Sequence, residues 1–180
     1  MQIIYALIPI VISIAAFVFS LFTWRERKAQ DQRDLFLQIH ERLAEVDLQH
    51  GRRILFQDIQ SAKDARALSR NNPRDYDLAS RALAMLDIAA LYVEHDYIDK
   101  KLFMNEWGFT YATVRKHAQY FIDERISRGA MSAYWAWPHF LAFSALAAQY
   151  LMNEHGIDPE AGFEAVTKDQ GDAQMSAEQP

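Results

Sequence analysis

The chain has 180 residues, is about half apolar, and carries a formal net charge of -5 at pH 7 with no cysteine. The absence of cysteine excludes a disulfide framework, a thiolate zinc site and a cysteine nucleophile. Residues 25–71 hold ten Lys or Arg against eight Asp or Glu, whereas residues 131–180 hold one against seven. No broad cationic face is therefore expected, and nucleic acid is not predicted as a partner.

The first 24 residues contain no charged side chain and predict a membrane-spanning helix. From Ile3 the sequence is IIYALIPIVISIAAFVFSLFTW, which spans roughly 33 Å as a helix, against about 30 Å for the hydrocarbon core of a bilayer. Pro9 predicts a mild kink in this helix. A cleaved signal peptide is the alternative, but it requires a basic start and a shorter apolar core. We therefore predict a transmembrane anchor over residues 1–24.

Basic residues follow the predicted anchor at Arg25, Arg27, Lys28 and Arg33. The positive-inside rule places such a flank in the cytoplasm and the N-terminus outside. Anionic lipids of the inner leaflet attract basic side chains near the surface by about 1 kcal/mol each. The predicted partners are therefore the anionic inner leaflet and either another protein or a second copy of the chain, and no cofactor is expected.

Residues 25–156 show helical periodicity, which predicts an all-α cytoplasmic bundle that continues from the anchor. Because neither proline nor glycine occurs between Pro9 and Gly51, one helix is expected to run to the neighbourhood of Gly51 and to bend or continue there. The pattern is shorter than three good heptads, so packing within a bundle is favoured and a parallel coiled-coil dimer is the alternative. The apolar face of this helix comprises Leu35, Phe36, Ile39, Leu43 and Val46.

Start and stop signals divide the rest of the domain. Asn72 is predicted to be an N-cap, and the following helix is apolar on two faces through residues 79–93, which predicts the core helix of the bundle. A further helix is expected to begin near Lys100, to stop or bend at Gly108, and to end at Gly129.

The segment from Gly129 to Asn153 has no charged residue and allows two interpretations. A second membrane span is possible because basic residues precede the segment and acidic residues follow it. Its polar content exceeds that of the first 24 residues, so a buried bundle helix is favoured, beginning at Pro138 and capped by Gly156. Residues 157–180 are acidic and poor in aromatic side chains, which predicts a disordered tail.

The richest polar cluster is the run EHDYID over residues 94–99. Its imidazole and three carboxylates, or His117, would be the candidates for a hydrolase or metal site. The favoured interpretation is that Asp96 or Asp99 caps the next helix and that the other charges are solvated. Phosphate-binding loops, nucleophile elbows and zinc spacings do not occur in the sequence, so no catalytic, cofactor-binding or metal-binding residue is predicted.

The run SRALAMLDIAALYVEHDYIDKKLFMNEWGF, followed by a helix ending in DERISRG and then by an aromatic helix, resembles the uncharacterised bacterial family catalogued as domain of unknown function 4760. The resemblance covers about residues 30–155 and implies a membrane-tethered helical domain without an established activity. It carries over no functional residue. The expected location is the bacterial inner (plasma) membrane.

Three of the four tryptophans, Trp107, Trp135 and Trp137, lie beside a glycine or a proline. Burial in the bundle core is the first interpretation of all three. Because Trp135 and Trp137 alternate along the chain, their rings are expected to point to opposite sides of an extended segment. The hypothesis is that the outward ring forms, with His139 or Trp107, an apolar docking patch close to the membrane face of the domain.

These features predict a single-pass, membrane-anchored cytoplasmic module for interaction or regulation, with no known partner. The first alternative is a membrane effector or sensor that oligomerises, for instance in bacterial stress or phage defence. Its basis is the pair Ala16 and Ser20, two small residues at helix-contact spacing. The second alternative is a hydrolase with an unrecognised site, and an enzyme is the less favoured class.

Overall fold

The computed structural model describes residues 2–159, including the side chains of all of these except residues 2–12, 14, 15 and 134. The described part is all-helical, as predicted, and the predicted tail beyond residue 159 lies outside it. Its helices are α1 (Gln2–Leu43), α2 (Val46–Arg53, followed by a π-helical turn over Ile54–Asp58), α3 (Ala62–Asn71), α4 (Pro73–Glu94), α5 (Lys100–Ser127) and α6 (Pro138–His155).

Helix α4 is the centre of the bundle, and α2, α3, α5 and α6 pack around it. Asn72 is its N-cap, because the Asn72 side chain accepts a hydrogen bond from the Asp75 backbone N–H at 3.3 Å and Pro73 occupies the first helical position. The predicted core helix and its cap are thus confirmed. Its buried face combines small and large apolar residues, namely Leu78, Ala79, Ala82, Leu83, Leu86, Ala89, Ala90 and Val93.

Helix α1 joins the bundle only through its last part. Ile39 and Leu43 are buried in the core, while residues 16–22 and 24–31 are exposed. Within the part of the chain that the structure describes, no helix has an apolar stretch long enough to cross a membrane. Of the predicted anchor over residues 1–24, Met1 and the side chains of residues 2–12, 14 and 15 lie outside the described part.

Helix α1 ends at Leu43, not near Gly51 as predicted. The Arg52 guanidinium donates a hydrogen bond to the Leu43 carbonyl oxygen at 2.5 Å, which satisfies an acceptor that the helix end leaves without a partner. Val46, predicted on the buried face, is exposed at the start of α2. Gly51 lies within α2, where a Cβ atom would clash with the backbone carbonyl of Leu78 in α4. Its role is therefore close packing of two helices, and not a bend.

Helix α5 is continuous through Gly108, where the sequence predicted a stop or a bend. A Cβ atom at Gly108 would lie 3.0 Å from the Met104 sulfur and 4.0 Å from the Ala147 Cβ atom of α6. The absence of a side chain thus favours close approach of α6, while the helix tolerates the glycine because its hydrogen bonds continue on both sides. At its start, the Asp99 carboxylate accepts a hydrogen bond from the Leu102 N–H at 2.7 Å, which confirms one of the two predicted caps.

Helix α6 confirms the bundle interpretation of the uncharged segment. It begins at Pro138 and is closed by Gly156 in the left-handed conformation, with φ 63°. Phe140, Ala147 and Leu151 are buried against the other helices. Within the helix, Gln149 is exposed and His139 and Tyr150 are partly exposed, whereas Ser144 is buried and its hydroxyl donates to the Leu141 carbonyl oxygen at 3.0 Å.

Candidate functional site

Of the two tryptophans before α6, one is exposed and one is buried, so the first interpretation, burial of all three rings in the core, is wrong for Trp135. Trp135 is 71% exposed, whereas Trp137 is 6% exposed and its ring lies 6.3 Å from that of Phe121. Instead of an extended segment, the chain forms a 3-10 turn over Ala133–Trp135 and then a left-handed residue, Trp137, with φ 51°. Positive φ is uncommon outside glycine, so this conformation requires a stabilising contact. Burial of the Trp137 ring against Phe121 supplies it.

Trp107 belongs to a different part of the bundle. It is 8% exposed, its ring lies 5.5 Å from that of His40, and the Arg52 guanidinium lies 5.2 Å above it. Along α5, Trp107 and Phe121 are separated by about 21 Å at 1.5 Å per residue. The structure therefore does not bring Trp107 together with Trp135 and Trp137, and a joint docking patch containing Trp107 is excluded.

The junction around Trp107 buries polar atoms without partners. Trp107 Nε1 and His40 Nδ1 form no hydrogen bond with any described residue. Each buried polar atom of this kind costs about 1–3 kcal/mol. The contact between α1 and α5 here therefore depends on the packing of the His40 and Trp107 rings, and the cation–π contact of Arg52 joins α2 to the same ring.

His139, the other predicted member of the patch, is partly exposed and pairs with the end of α4. Its Nδ1 atom lies 2.5 Å from Glu94 Oε2. Next to it, the Phe140 backbone N–H donates to the Asp87 carboxylate at 2.9 Å. Since the first turn of a helix leaves backbone N–H groups without partners, the Asp87 carboxylate satisfies one of them and fixes α6 on α4.

A polar network that the sequence did not predict lies between α4 and α5, near Trp137. Glu124 is 1% exposed, and its carboxylate accepts a hydrogen bond from the Tyr76 hydroxyl at 2.9 Å and pairs with Arg128 Nε at 2.6 Å. Burial, together with the hydrogen bond to Glu124, raises the pKa of Tyr76 above its usual value. The hydrogen bond between Tyr76 and Glu124 connects α4 to α5.

The neighbouring Arg125 is enclosed by aromatic rings. Its guanidinium carbon lies 5.4 Å from the centre of the Trp137 ring, 5.6 Å from that of Tyr76 and 5.9 Å from that of Phe121. Its Nη1 atom donates to the Ser80 hydroxyl at 3.1 Å. The structure shows that the same charge stacks on three rings and helps to hold Trp137 inside the bundle.

The polar run over residues 94–99 is explained by the turn between α4 and α5. Asp99 caps α5, Asp96 adopts φ 56°, and His95 is exposed. His117 lies elsewhere on α5, where its Nδ1 atom is 2.8 Å from the Ile59 carbonyl oxygen. Among the described residues no group of three His, Cys, Asp or Glu side chains could hold a metal ion. His95, Asp96 and Asp99 thus share one turn, and His117 lies elsewhere.

The predicted basic residues surround α1 just before it meets the bundle. Arg25, Arg27, Lys28 and Arg33 are all exposed. Only Arg33 has a recorded hydrogen bond among these four, a long one of 3.3 Å from Nε to the Ala29 carbonyl oxygen. We call Arg25, Arg27, Lys28 and Arg33 the basic collar. Its charges are free to interact with an anionic surface, at a strength that depends on salt.

A groove of about 530 Å³ lies between α2 and the start of α4. His50 and Asp75 face each other across it, with His50 Nε2 at 3.7 Å from Asp75 Oδ1. Arg74 and Asp47 also line the groove, so both signs of charge are present. The groove consequently shows no preference for a ligand of one charge.

Comparison with known proteins finds no match to this chain among protein-family models, curated proteins or solved structures. The resemblance of residues 30–155 to the uncharacterised bacterial family therefore stays a prediction.

Proposed function

We propose that this chain is a single-pass, membrane-anchored helical module that holds its bundle at the cytoplasmic face of a bacterial inner membrane, where it binds a protein partner. The anchor is the first 24 residues, and the bundle is residues 25–156. The resemblance of residues 30–155 to a membrane-tethered family is in keeping with this proposal.

The observation that carries the proposal is the exposure of large apolar side chains on α1 before the bundle. These side chains are Phe17, Val18, Phe19, Leu21, Phe22 and Trp24. At 100° per residue, these positions spread over about 220° of the helix circumference, and the small residues Ala16, Ser20 and Thr23 occupy the rest. A groove on one protein would cover a single stripe, whereas lipid covers a helix on every side. The uncharged sequence that precedes these residues extends the same character to the length of a span.

The proposed orientation follows from the basic collar. Arg25, Arg27 and Lys28 come directly after Trp24, whose ring is of the kind that prefers the headgroup layer. Cationic residues at this position favour the cytoplasmic side, so the N-terminus would be outside and the bundle inside.

The test is extraction of membranes that contain the full-length chain. The wild-type chain should stay in the membrane fraction after an alkaline carbonate wash. The double variant Ser13→Lys/Phe17→Lys should be released, because each lysine near the centre of a span costs about 2.5–3.5 kcal/mol.

The matched control is Leu37→Lys, which changes an exposed apolar residue on the same helix beside the bundle. We expect this variant to remain in the membrane fraction. Release of the wild-type chain by the wash, or retention of the double variant, would contradict the proposed anchor.

Self-association in the membrane is a second candidate. Ala16 and Ser20 are exposed and lie four residues apart on α1, a spacing that lets two helices approach closely. The variant Ala16→Leu/Ser20→Leu should then abolish crosslinked dimers in membranes, while Val18→Leu should not. Unchanged crosslinking in the first variant would remove this contact from consideration.

A further inference from the structure

The contacts between α1 and the bundle define which end of the bundle is nearest to the proposed anchor. The Gln32 side-chain amide donates a hydrogen bond to the Asp96 carbonyl oxygen at 2.8 Å. Further along α1, the ring of Phe36 lies 6.5 Å from that of Phe103. The ring of His40 then lies 5.5 Å from that of Trp107. Because both helices advance four residues between the last two contacts, α1 and α5 run side by side in the same direction.

It follows that the turn between α4 and α5 is at the end of the bundle that faces the membrane. Trp24 and Gln32 are eight residues apart, which corresponds to about 12 Å of helix. The headgroup layer beyond the hydrocarbon core is about 5–8 Å thick. With Trp24 at the border of the hydrocarbon, the turn lies within about one Debye length of the headgroups at physiological salt. The opposite end is that of Ser127, the last residue of α5, where the Ala130 N–H donates to the Arg125 carbonyl oxygen and Ser132 follows two residues later.

The exposed side chains of this turn have the chemistry that headgroups bind. Tyr97 is 56% exposed and its ring lies 6.0 Å from that of Tyr92. Lys100 and Lys101 are exposed and form no ion pair with any described residue. Tyrosine is enriched at the membrane–water interface, and lysine is attracted to anionic lipid.

Two of the three carboxylates of the same turn, those of Asp99 and Glu94, are engaged within the protein, whereas the Asp96 side chain is exposed. Asp99 caps α5, and Glu94 pairs with His139. Asp96 holds the left-handed position of the turn and receives the Gln32 amide on its carbonyl oxygen. Ile98, between them, is fully buried. The turn is therefore fixed from both sides and presents Tyr97 and the two lysines without rearrangement.

We propose that the α4–α5 turn is a second membrane contact, in which Tyr97 enters the headgroup layer and Lys100 and Lys101 bind the phosphates of anionic lipids. This inference depends on the proposed anchor and names the surface on which the bundle rests. A lipid leaflet is the occupant that the short distance to Trp24 favours over a protein.

The experiment uses the absence of cysteine in the chain, which makes every introduced cysteine a unique attachment site for a fluorophore. Full-length His95→Cys reports on the turn, Ser132→Cys on the opposite end and Ser20→Cys on the anchor. Each is reconstituted into phosphatidylcholine vesicles with or without phosphatidylglycerol, carrying a nitroxide on the headgroup or on the acyl chain. We expect headgroup quenching at position 95 to exceed that at position 132 by about twofold or more, and to rise with phosphatidylglycerol.

Further variants distinguish the effect of the lysine charges in the turn from the effect of the distance between the turn and the membrane. In the His95→Cys background, Lys100→Gln/Lys101→Gln should lower the dependence on phosphatidylglycerol, whereas Arg115→Gln/Lys116→Gln, farther along α5, should not. An insertion of two helical turns after Lys28 should abolish the quenching at position 95, because it lifts the bundle by about 10 Å without changing the turn.

Equal quenching at positions 95 and 132, with the Ser20→Cys fluorophore quenched by the acyl-chain nitroxide, would overturn the turn contact and leave the anchor. A Ser20→Cys fluorophore that the acyl-chain nitroxide does not quench would overturn the anchor and the turn contact together. Absence of quenching at position 95 in vesicles, combined with protection of that cysteine in native membranes, would assign the turn to a protein partner and overturn the lipid contact.

Discussion

At the scale of single residues, the sharpest constraint is the contact of Gly51 with α4. We expect Gly51→Ala to lower the free energy of unfolding by about 1–3 kcal/mol, because the added methyl group meets a backbone carbonyl that cannot rotate away. Gly108→Ala is the matched control. There the nearest atom belongs to the flexible Met104 side chain, and alanine gains up to about 1 kcal/mol in helix propensity. Thermal denaturation followed by circular dichroism measures both, and equal losses would contradict the close-packing role.

Asp96 and Gly129 close two helices with the same motif. Both have positive φ, 56° and 70°, and in both cases the N–H of the next residue donates to a carbonyl oxygen five positions earlier. We expect Asp96→Gly to stabilise the fold by about 0.5–1 kcal/mol, because glycine has no Cβ strain in this conformation. Gly129→Ala should destabilise it by a similar amount, although no atom would touch the new methyl group. A stabilising Gly129→Ala would show that the backbone there relaxes.

Tyr111 makes stability depend on alkaline pH. It is fully buried and its hydroxyl donates to the Leu86 carbonyl oxygen at 2.6 Å. Burial raises the pKa of Tyr111 well above its usual value, with a further contribution from the charge of Asp87 and an opposing one from Arg52. In the unfolded chain tyrosine ionises near pH 10. The stabilisation is therefore complete below about pH 10 and is lost as pH rises above it.

We expect Tyr111→Phe to cost about 1 kcal/mol at pH 7, through loss of one hydrogen bond. Above pH 10 the variant should lose less stability than the wild-type chain. Melting temperatures of the two proteins, measured between neutral and alkaline pH, give the loss of stability at pH 7 and the loss of each protein above pH 10. Parallel pH curves for the two proteins would show that Tyr111 ionises as easily in the fold as outside it.

At the scale of elements, the start of α6 depends on one ring. Trp137 is buried between Phe121 and Arg125, and it holds a left-handed backbone. Trp137→Ala should therefore cost about 3 kcal/mol or more. Trp135→Ala, two residues earlier and exposed, should change stability by about 0.5 kcal/mol or less. If Trp135→Ala is neutral for stability yet abolishes a crosslink to a partner in membranes, Trp135 belongs to the surface of the bundle that binds the partner. A large loss of stability in Trp135→Ala would instead assign the ring to the core.

Helix boundaries were predictable where the signal is local. Asn72, Asp99 and Gly129 act through hydrogen bonds and dihedral angles within a few residues, and all three were read from the sequence. Ser61, which caps α3 by accepting from the Asp64 N–H at 3.4 Å, has the same kind of local signal and was overlooked. The end of α1 at Leu43 could not be read in this way, because its carbonyl finds its donor in the following helix.

In the candidate site, too, the sequence contained information about neighbouring residues and not about contacts between distant ones. The alternation of Trp135 and Trp137 indicated that one ring could face outward, but the extended segment on which that prediction depended is a 3-10 turn followed by a left-handed residue. The pairing of Tyr76 with Glu124 joins residues 48 positions apart, and no periodicity contains that information. Separation of Trp107 from the other two tryptophans likewise depends on the length of α5, which the expected bend at Gly108 had concealed.

At the scale of the whole molecule, the proposed orientation predicts the result of protease shaving. In right-side-out vesicles an epitope at the C-terminus should survive external protease and should be digested once the vesicles are opened. Loss of the epitope in intact vesicles would contradict the orientation. A fusion reporter after Leu68 would then distinguish an inverted chain from one that crosses the membrane a second time.

Because α1 continues without interruption from the proposed anchor into the bundle, a tilt of the anchor would tilt the bundle with it. Helix α5 has 28 residues, so the far end of the bundle is about 50 Å from Trp24 along the helix direction. Spans tilt when the thickness of the bilayer changes, and at that radius a tilt of about 10° displaces the far end sideways by about 9 Å. A small deformation of the lipid thus becomes a sideways displacement of the C-terminal end of α5 that is close to the diameter of a helix, and a partner bound there would move with the membrane.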